Sequence, residues 1–311
     1  MTARAGTAKA SNKLARGVWG VLATPFQGST HDLCESSLVR CVEHYQKVGA
    51  TGLTVLGVFG EAAKLSLAEQ RDVVEIVTSV DTALPLVVGL AGQATRVAIE
   101  QGQAAVDAAE GAGRVAGLMV QVTSANPVTL SKHLRAVHDE TGVGIVVQDY
   151  PLVTRVRIDQ LDLAKVVADN EDIVVAVKSE SPPTAPAIAT VTAVTSVPVF
   201  GGLGGVGLLD ELVCGAAGAM TGFSYPEALV ATVRAYDEGG LDAARSVFAP
   251  WLPLVNFEAQ PGISLAIRKE CLRARGLLLD SSVRAPAPGF PDALHPLAQA
   301  HLAAADRLLT A

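Results

Sequence analysis

One lysine carries the strongest chemical signal in this 311-residue sequence. Lys178 closes the apolar run Ile173-Val174-Val175-Ala176-Val177. A run with no polar face reads as a strand covered on both sides, as in a parallel sheet. A lysine at its end points into a barrel mouth or core, where lost hydration disfavours the ammonium. The neutral amine can attack a carbonyl and form an imine. The plainer reading is a lysine that snorkels to solvent at the strand end. Glu180 stands two residues beyond Lys178, and Tyr150 two beyond Gln148. On a regular strand each pair shares a face, and Asp149 looks the other way, as a structural cap toward the covering helices.

Other chemistries find little support. The six histidines (His31, His44, His133, His138, His295 and His301) form no H-E-x-x-H pattern, so no metal site is expected. There is no G-x-S-x-G nucleophile turn. Cys34, Cys41, Cys214 and Cys271 include no C-x-x-C pair, which argues against a disulfide framework and fits a reduced, cytoplasmic setting. Cys41 falls on the apolar side of its helix and reads as a small buried hydrophobe. A net charge of −7 without long runs argues against nucleic acid and anionic membranes as partners. No 18-residue apolar run offers a membrane span. Residues 1–13 lack the apolar core of a secretory signal and read as a mobile tail.

The elements that must hold Lys178 follow a repeating rhythm. Strands are expected at 17–23, 52–56, 85–90, 115–122, 143–149, 173–178, 197–201 and 218–221. Helices are expected between them. In 35–48, Leu38, Cys41, Val42, Tyr45 and Val48 keep helical spacing up to Gly49. Ser66 and Glu69 form a capping box ahead of another helix. Further helices are read at 95–112, 129–140, 158–169, 184–195 and 207–216. Eight such units most simply close into an α/β fold of the (β/α)8 TIM-barrel type over residues 14–225. An open doubly wound sheet is the runner-up, but Ala23-Thr24-Pro25-Phe26 gives no glycine fingerprint after the first strand. From 226 to 311 the strands stop. Helices are expected at 226–237, 240–252, 262–276 and 291–310, as an extension packed on the barrel.

A barrel of this kind keeps its active site at the C-terminal ends of its strands. The residues to inspect there are Thr24-Pro25, Gly57–Glu61, Gln93, Thr123–Pro127, Gln148–Pro151, Lys178–Ser181, Gly201–Gly205 and Thr221-Gly222. The glycines closing the seventh strand, Gly202 among them, keep the mouth open and let backbone approach a ligand.

At these positions the sequence resembles the dihydrodipicolinate synthase and N-acetylneuraminate lyase superfamily of class I, pyruvate-type aldolases. The matching segments are Gly20–Phe26, Gly57-Val58-Phe59-Gly60-Glu61, Leu65–Arg71, Asn126-Pro127, Asp149-Tyr150-Pro151, Val175–Lys178 and Leu265–Lys269. The resemblance implies a lyase, an aldolase or dehydratase, that holds a 2-oxo acid such as pyruvate or a keto-deoxy sugar acid as an imine on Lys178. It implies no cofactor and a homotetramer built as a dimer of dimers. Gly57, Val58, Phe59 and Gly60 would cradle the substrate carboxylate with backbone N–H groups. Thr24, Ser124, Gly202 and Thr221 would complete the substrate-binding set. For Glu61 a structural hydrogen-bonding role is weighed equally with catalysis.

The sequence also departs from the family pattern. Val58 and Phe59 stand where two hydroxyl residues are usual. Thr123 and Ser124 replace a tyrosine pair, and Gln148 replaces the catalytic tyrosine of the fifth strand. The family's carboxylate-binding arginine aligns with Val153, with Arg155 a nearby substitute. Glutamine has no proton that titrates near neutrality, and general acid–base help is worth roughly 10²–10⁴ in rate. Gln148 and Tyr150 therefore enter the catalytic set beside Lys178, with Glu180 and Asp149 as other proton carriers. The alternative is a non-catalytic, ligand-binding or regulatory relative that keeps the barrel and lysine but has lost the relay.

Overall fold

A computed structural model describes residues 13–310. Eight parallel strands close into a barrel, which sets aside the open sheet. They are β1 (Gly17–Val21), β2 (Gly52–Val55), β3 (Leu86–Gly89), β4 (Val115–Gln121), β5 (Ile145–Asp149), β6 (Val174–Ser179), β7 (Val199–Gly201) and β8 (Gly218–Thr221). Each pairs with its neighbours in sequence, and β8 returns to β1 with Gly17 opposite Gly218. The apolar runs form strands because both faces are dry. One face meets the helices, and the other fills the barrel with Trp19, Val21, Val87, Met119, Val146, Val175, Phe200 and Met220.

Large and small residues alternate so that this interior closes. Trp19 lies against Gly52, where an added Cβ would come within 2.4 Å of its ring. The lower end is plugged by Leu14, whose N–H donates to the Val175 carbonyl (3.0 Å). Lys13, read as the last residue of the tail, is anchored here: its Nζ donates to the carbonyls of Glu171 and Val174 (both 2.7 Å). The rest of that tail, residues 1–12, lies outside the described residues.

The helices begin and end where local chemistry allows. Ser66 caps Leu67–Ser79 in a full capping box with Glu69, and Asn126 caps Pro127–Thr141 through Thr129 N–H (3.0 Å). Cys41 is buried on the inner face of Glu35–Lys47, and all four cysteines are free thiols. A two-stranded hairpin, Phe26–Gln27 with Asp32–Leu33, extends beyond β1. It was not foreseen, because two-residue strands carry no periodicity.

The C-terminal region is helical: Pro226–Phe248, Leu252–Glu258, Ser264–Ala274 and His295–Thr310. The expected break near residue 239 is a kink at Gly240, with φ of 70° and ψ of −158° inside a continuing helical run. Tyr225, Phe248, Trp251, Leu254, Phe257 and Ile267 form a second core between these helices and the side of the barrel at β1 and β8. No helix among the described residues is long and apolar enough to cross a membrane.

Candidate active site

The side chain of Lys178 points inward at the top of β6. An extra residue in β6 opposite β5 sets its phase: Ile145 pairs with Val174, but Val146 pairs with Ala176. Beyond this bulge the register is regular, with Gln148 opposite Lys178 and Gln121 of β4 opposite Gln148. All three side chains line a cavity of about 320 Å³ at the C-terminal mouth of the barrel. Lys178 is 4% exposed, so its amine does not snorkel to solvent.

Glu180 shares the inward face of Lys178, as the spacing predicts. Its Oε2 lies 3.4 Å from Lys178 Nζ and accepts a hydrogen bond from Gln148 Nε2 (2.7 Å). Leu203 N–H donates to its Oε1 (3.3 Å). Gly202 makes room for this carboxylate: a Cβ there would lie 2.3 Å from Glu180 Oε1. Gln148 thus cannot titrate, but it orients the carboxylate beside the lysine.

Tyr150 lines the same cavity. Burial, reinforced by the Glu180 charge, pushes its phenol up to about 12, so it stays protonated near neutrality and acts as a neutral hydroxyl that can donate and accept hydrogen bonds. Asp149 faces outward, as expected, and accepts from Gln160 Nε2 (2.9 Å) at the start of helix Gln160–Ala168. Burial raises its carboxyl above the usual range. Arg155 is exposed and does not line the cavity; Val153 does.

The loop after β2 is bounded by two left-handed residues, Leu56 (φ 56°) and Glu61 (φ 55°). Non-glycine residues visit this region at a cost of about 1–2 kcal/mol, so something must hold them there. Glu61 provides the anchor. It is buried, its Oε1 meets Lys269 Nζ at 2.6 Å, and its Oε2 accepts from Lys64 Nζ (2.8 Å) and Arg284 N–H (3.0 Å). With its oxygens so occupied, Glu61 takes the structural role. Gly57, Val58 and Phe59 line the cavity, and the N–H groups of Val58 and Phe59 donate to no described residue. Phe59 lies across Gly222, where a Cβ would meet the ring at 2.3 Å.

Thr221 also lines the cavity, and its hydroxyl accepts from Gly204 N–H (2.7 Å). Thr24, Gly60, Ser124 and Gly202, expected in the substrate-binding set, do not line the cavity. Thr24 Oγ1 donates to the Gly60 carbonyl (2.6 Å) and braces the loop. Ser124 Oγ accepts from Asn126 N–H (3.1 Å) in the turn ahead of its helix. The polar lining residues Lys64, Gln121, Ser264 and Arg268 are not among the site candidates read from the sequence. Gln121 sits one residue inside the apolar run that was read to 122, and Arg268 comes from a helix assigned no chemistry.

The barrel, its mouth and the buried lysine can be set against known proteins. Residues 14–303 match the Dihydrodipicolinate synthetase family. The chain belongs to this family. Its sequence is 29% identical over 306 residues to an L-2-keto-3-deoxyarabonate dehydratase of Azospirillum brasilense, covering 94% of each chain. It is 30% identical over 244 residues to a 4-hydroxy-tetrahydrodipicolinate synthase of Methanothrix thermoacetophila, covering 77% of this chain and 80% of that one. A dihydrodipicolinate synthase structure from Rhodopseudomonas palustris superimposes with a TM-score of 0.85 at 29% identity, covering 94% of this chain and all of that one. Among the described residues no cluster of His, Cys, Asp and Glu could hold a metal ion.

Proposed function

We propose that this family member is a lyase that binds a 2-oxo acid as an imine on Lys178. The observation that carries the reading is a buried Lys178 Nζ opening on the cavity with one carboxylate, Glu180, 3.4 Å away. The ion pair supplies the proton bookkeeping. The Lys178 ammonium gives a proton to Glu180, and the free amine attacks the keto carbon. One N–H proton moves to the new alkoxide. The carbinolamine hydroxyl then leaves as water with the proton returned by Glu180, which leaves an iminium and a carboxylate. The iminium draws electrons from the adjacent carbon, so Glu180 can next accept a proton there. An elimination of water or a cleavage of the next carbon–carbon bond follows from the same electron sink.

The free N–H groups of Val58 and Phe59 suit the carboxylate next to the keto carbon, since preorganised amide dipoles favour an anion. Loss of the usual loop hydroxyls removes a side-chain relay but not this cradle. The keto-deoxy sugar acid dehydratase and tetrahydrodipicolinate synthase relatives support a substrate drawn from 2-oxo acid chemistry. Family resemblance supports a homotetramer, which light scattering on the purified protein would test.

Borohydride reduction with pyruvate, read by intact mass, tests the imine. We expect one covalent adduct that maps to Lys178 and is absent from Lys178→Met. No adduct with any of a panel of 2-oxo acids sinks the reading. The competing reading is a ligand-binding relative without turnover, motivated by the amide at position 148. It predicts ligand-induced thermal stabilisation with no product from any acid in the panel.

A further inference from the structure

Arg268 enters the cavity from the C-terminal helix Ser264–Ala274. Its side chain is only 11% exposed, yet it donates no hydrogen bond to any described residue. The Nε is fully buried without a partner. The one carboxylate within ion-pair reach among the described residues is Glu258, 3.6 Å from that Nε. Glu258 is already engaged by the N–H and hydroxyl of Ser224, and burial pushes its carboxyl up to about 7. It balances the guanidinium only in part.

The other cations lining the cavity are paired. Lys178 has Glu180, and Lys64 has Glu61. The place of the Arg268 guanidinium is cleared for it. A Cβ on Gly204 would lie 2.1 Å from Nη2, and the Phe59 ring stands 5.7 Å from its Cζ. A dry guanidinium with unused donors is costly to hold, and its planar fork matches a carboxylate.

We infer that Arg268 is a specificity-determining residue that binds a second carboxylate, at the far end of a 2-oxo acid joined to Lys178. This rests on the imine reading above. The carboxylate beside the keto carbon has the Val58 and Phe59 amides, so the unused guanidinium calls for another anion. The substrate class is a 2-oxo dicarboxylic acid. Val153 stands after β5 where the family resemblance implies a carboxylate-binding arginine; here the cation reaches the mouth from the C-terminal helices instead.

The test compares acids of equal chain length, 2-oxoglutarate and 2-oxopentanoate, by the concentration that half-saturates borohydride trapping. In the native protein the dicarboxylate should half-saturate at a concentration at least about tenfold lower, the scale of a charged hydrogen-bonded contact. Arg268→Gln should abolish that preference while still trapping pyruvate, and Arg268→Lys should keep part of it. Equal half-saturation by the two acids in the native protein overturns the inference without recourse to any variant. So does an Arg268→Gln protein that weakens both acids alike, which would assign the guanidinium to the common carboxylate. Absence of any adduct, with pyruvate included, removes the imine reading and this inference together. Pyruvate trapping without a dicarboxylate preference removes this inference alone.

Discussion

At the scale of single residues the carboxylate that meets Lys178 belongs to Glu180. The sequence offers a glutamine where a phenol is usual, and the structure puts that amide to work holding a carboxylate against Lys178. Glu180→Gln should lower turnover by roughly 10²–10⁴, the usual worth of a positioned acid–base group. Trapping of the imine should still occur but more slowly, since the amine remains while its proton carrier is gone. Steady-state rates beside borohydride labelling check both halves, and an unchanged rate would remove Glu180 from the chemistry. Gly202→Ala addresses the same carboxylate from behind. Its new Cβ would overlap Glu180 Oε1, so the Gln148 hydrogen bond must shift. We expect a fall in kcat larger than any loss of folding stability, measured by urea titration on the same preparation.

At the scale of elements, the loop after β2 and the C-terminal helices are one device. Glu61 leaves the barrel in a left-handed conformation and takes Lys269 from helix Ser264–Ala274 as its partner. That helix also carries Arg268 into the mouth. Lys269 Nζ is fully enclosed, donates to the Ser282 carbonyl (2.8 Å) and sits 4.2 Å from the centre of the Phe26 ring. Burial lowers its amine to about 8 against the pull of Glu61. Removing one partner of such a pair strands the other charge at a cost of about 3–5 kcal/mol. Glu61→Ala should therefore lose about that much in urea-induced unfolding. The double variant Glu61→Gln with Lys269→Met should lose less, because no charge is left unpaired. Equal loss in both would show that the pair's electrostatics are not what fixes the loop.

At the scale of the whole molecule, buried acids set how stability follows pH. Burial raises Glu211, which lies on helix Leu208–Val213 with its carboxylate against Gly201 of β7, to about 7, against a Thr184 hydroxyl that donates to it (2.6 Å). Its usual value is 4.5. Below about 4.5 both folded and unfolded chains hold this proton. Between 4.5 and 7 the unfolded chain releases it first, so stability falls as pH rises through this window. Glu211→Gln should flatten that decline in a series of melting temperatures from pH 4.5 to 7; an unaltered slope would exclude Glu211 as its source. Glu69 acts oppositely. A hydrogen bond from Arg284 holds its carboxyl down to about 2, so the stability from that contact is present above 4.5 and is lost as pH falls toward 2.

The barrel and its lysine were legible in the sequence because their signals are local. Continuous apolar runs of the right length, broken by turn residues and helical periodicity, require only neighbours in the chain to be read. The same locality placed Glu180 on the face of Lys178, Tyr150 on the face of Gln148, and Asp149 toward the helices. The tertiary structure alone decided which separate segments meet. Closing the barrel brought Gln148 onto Glu180, and docking the C-terminal helices set Lys269 against Glu61 and turned Arg268 into the mouth. No periodicity encodes those meetings. They follow from the register of β5 against β6, the bulge between them, and the packing of a second apolar core on the barrel wall.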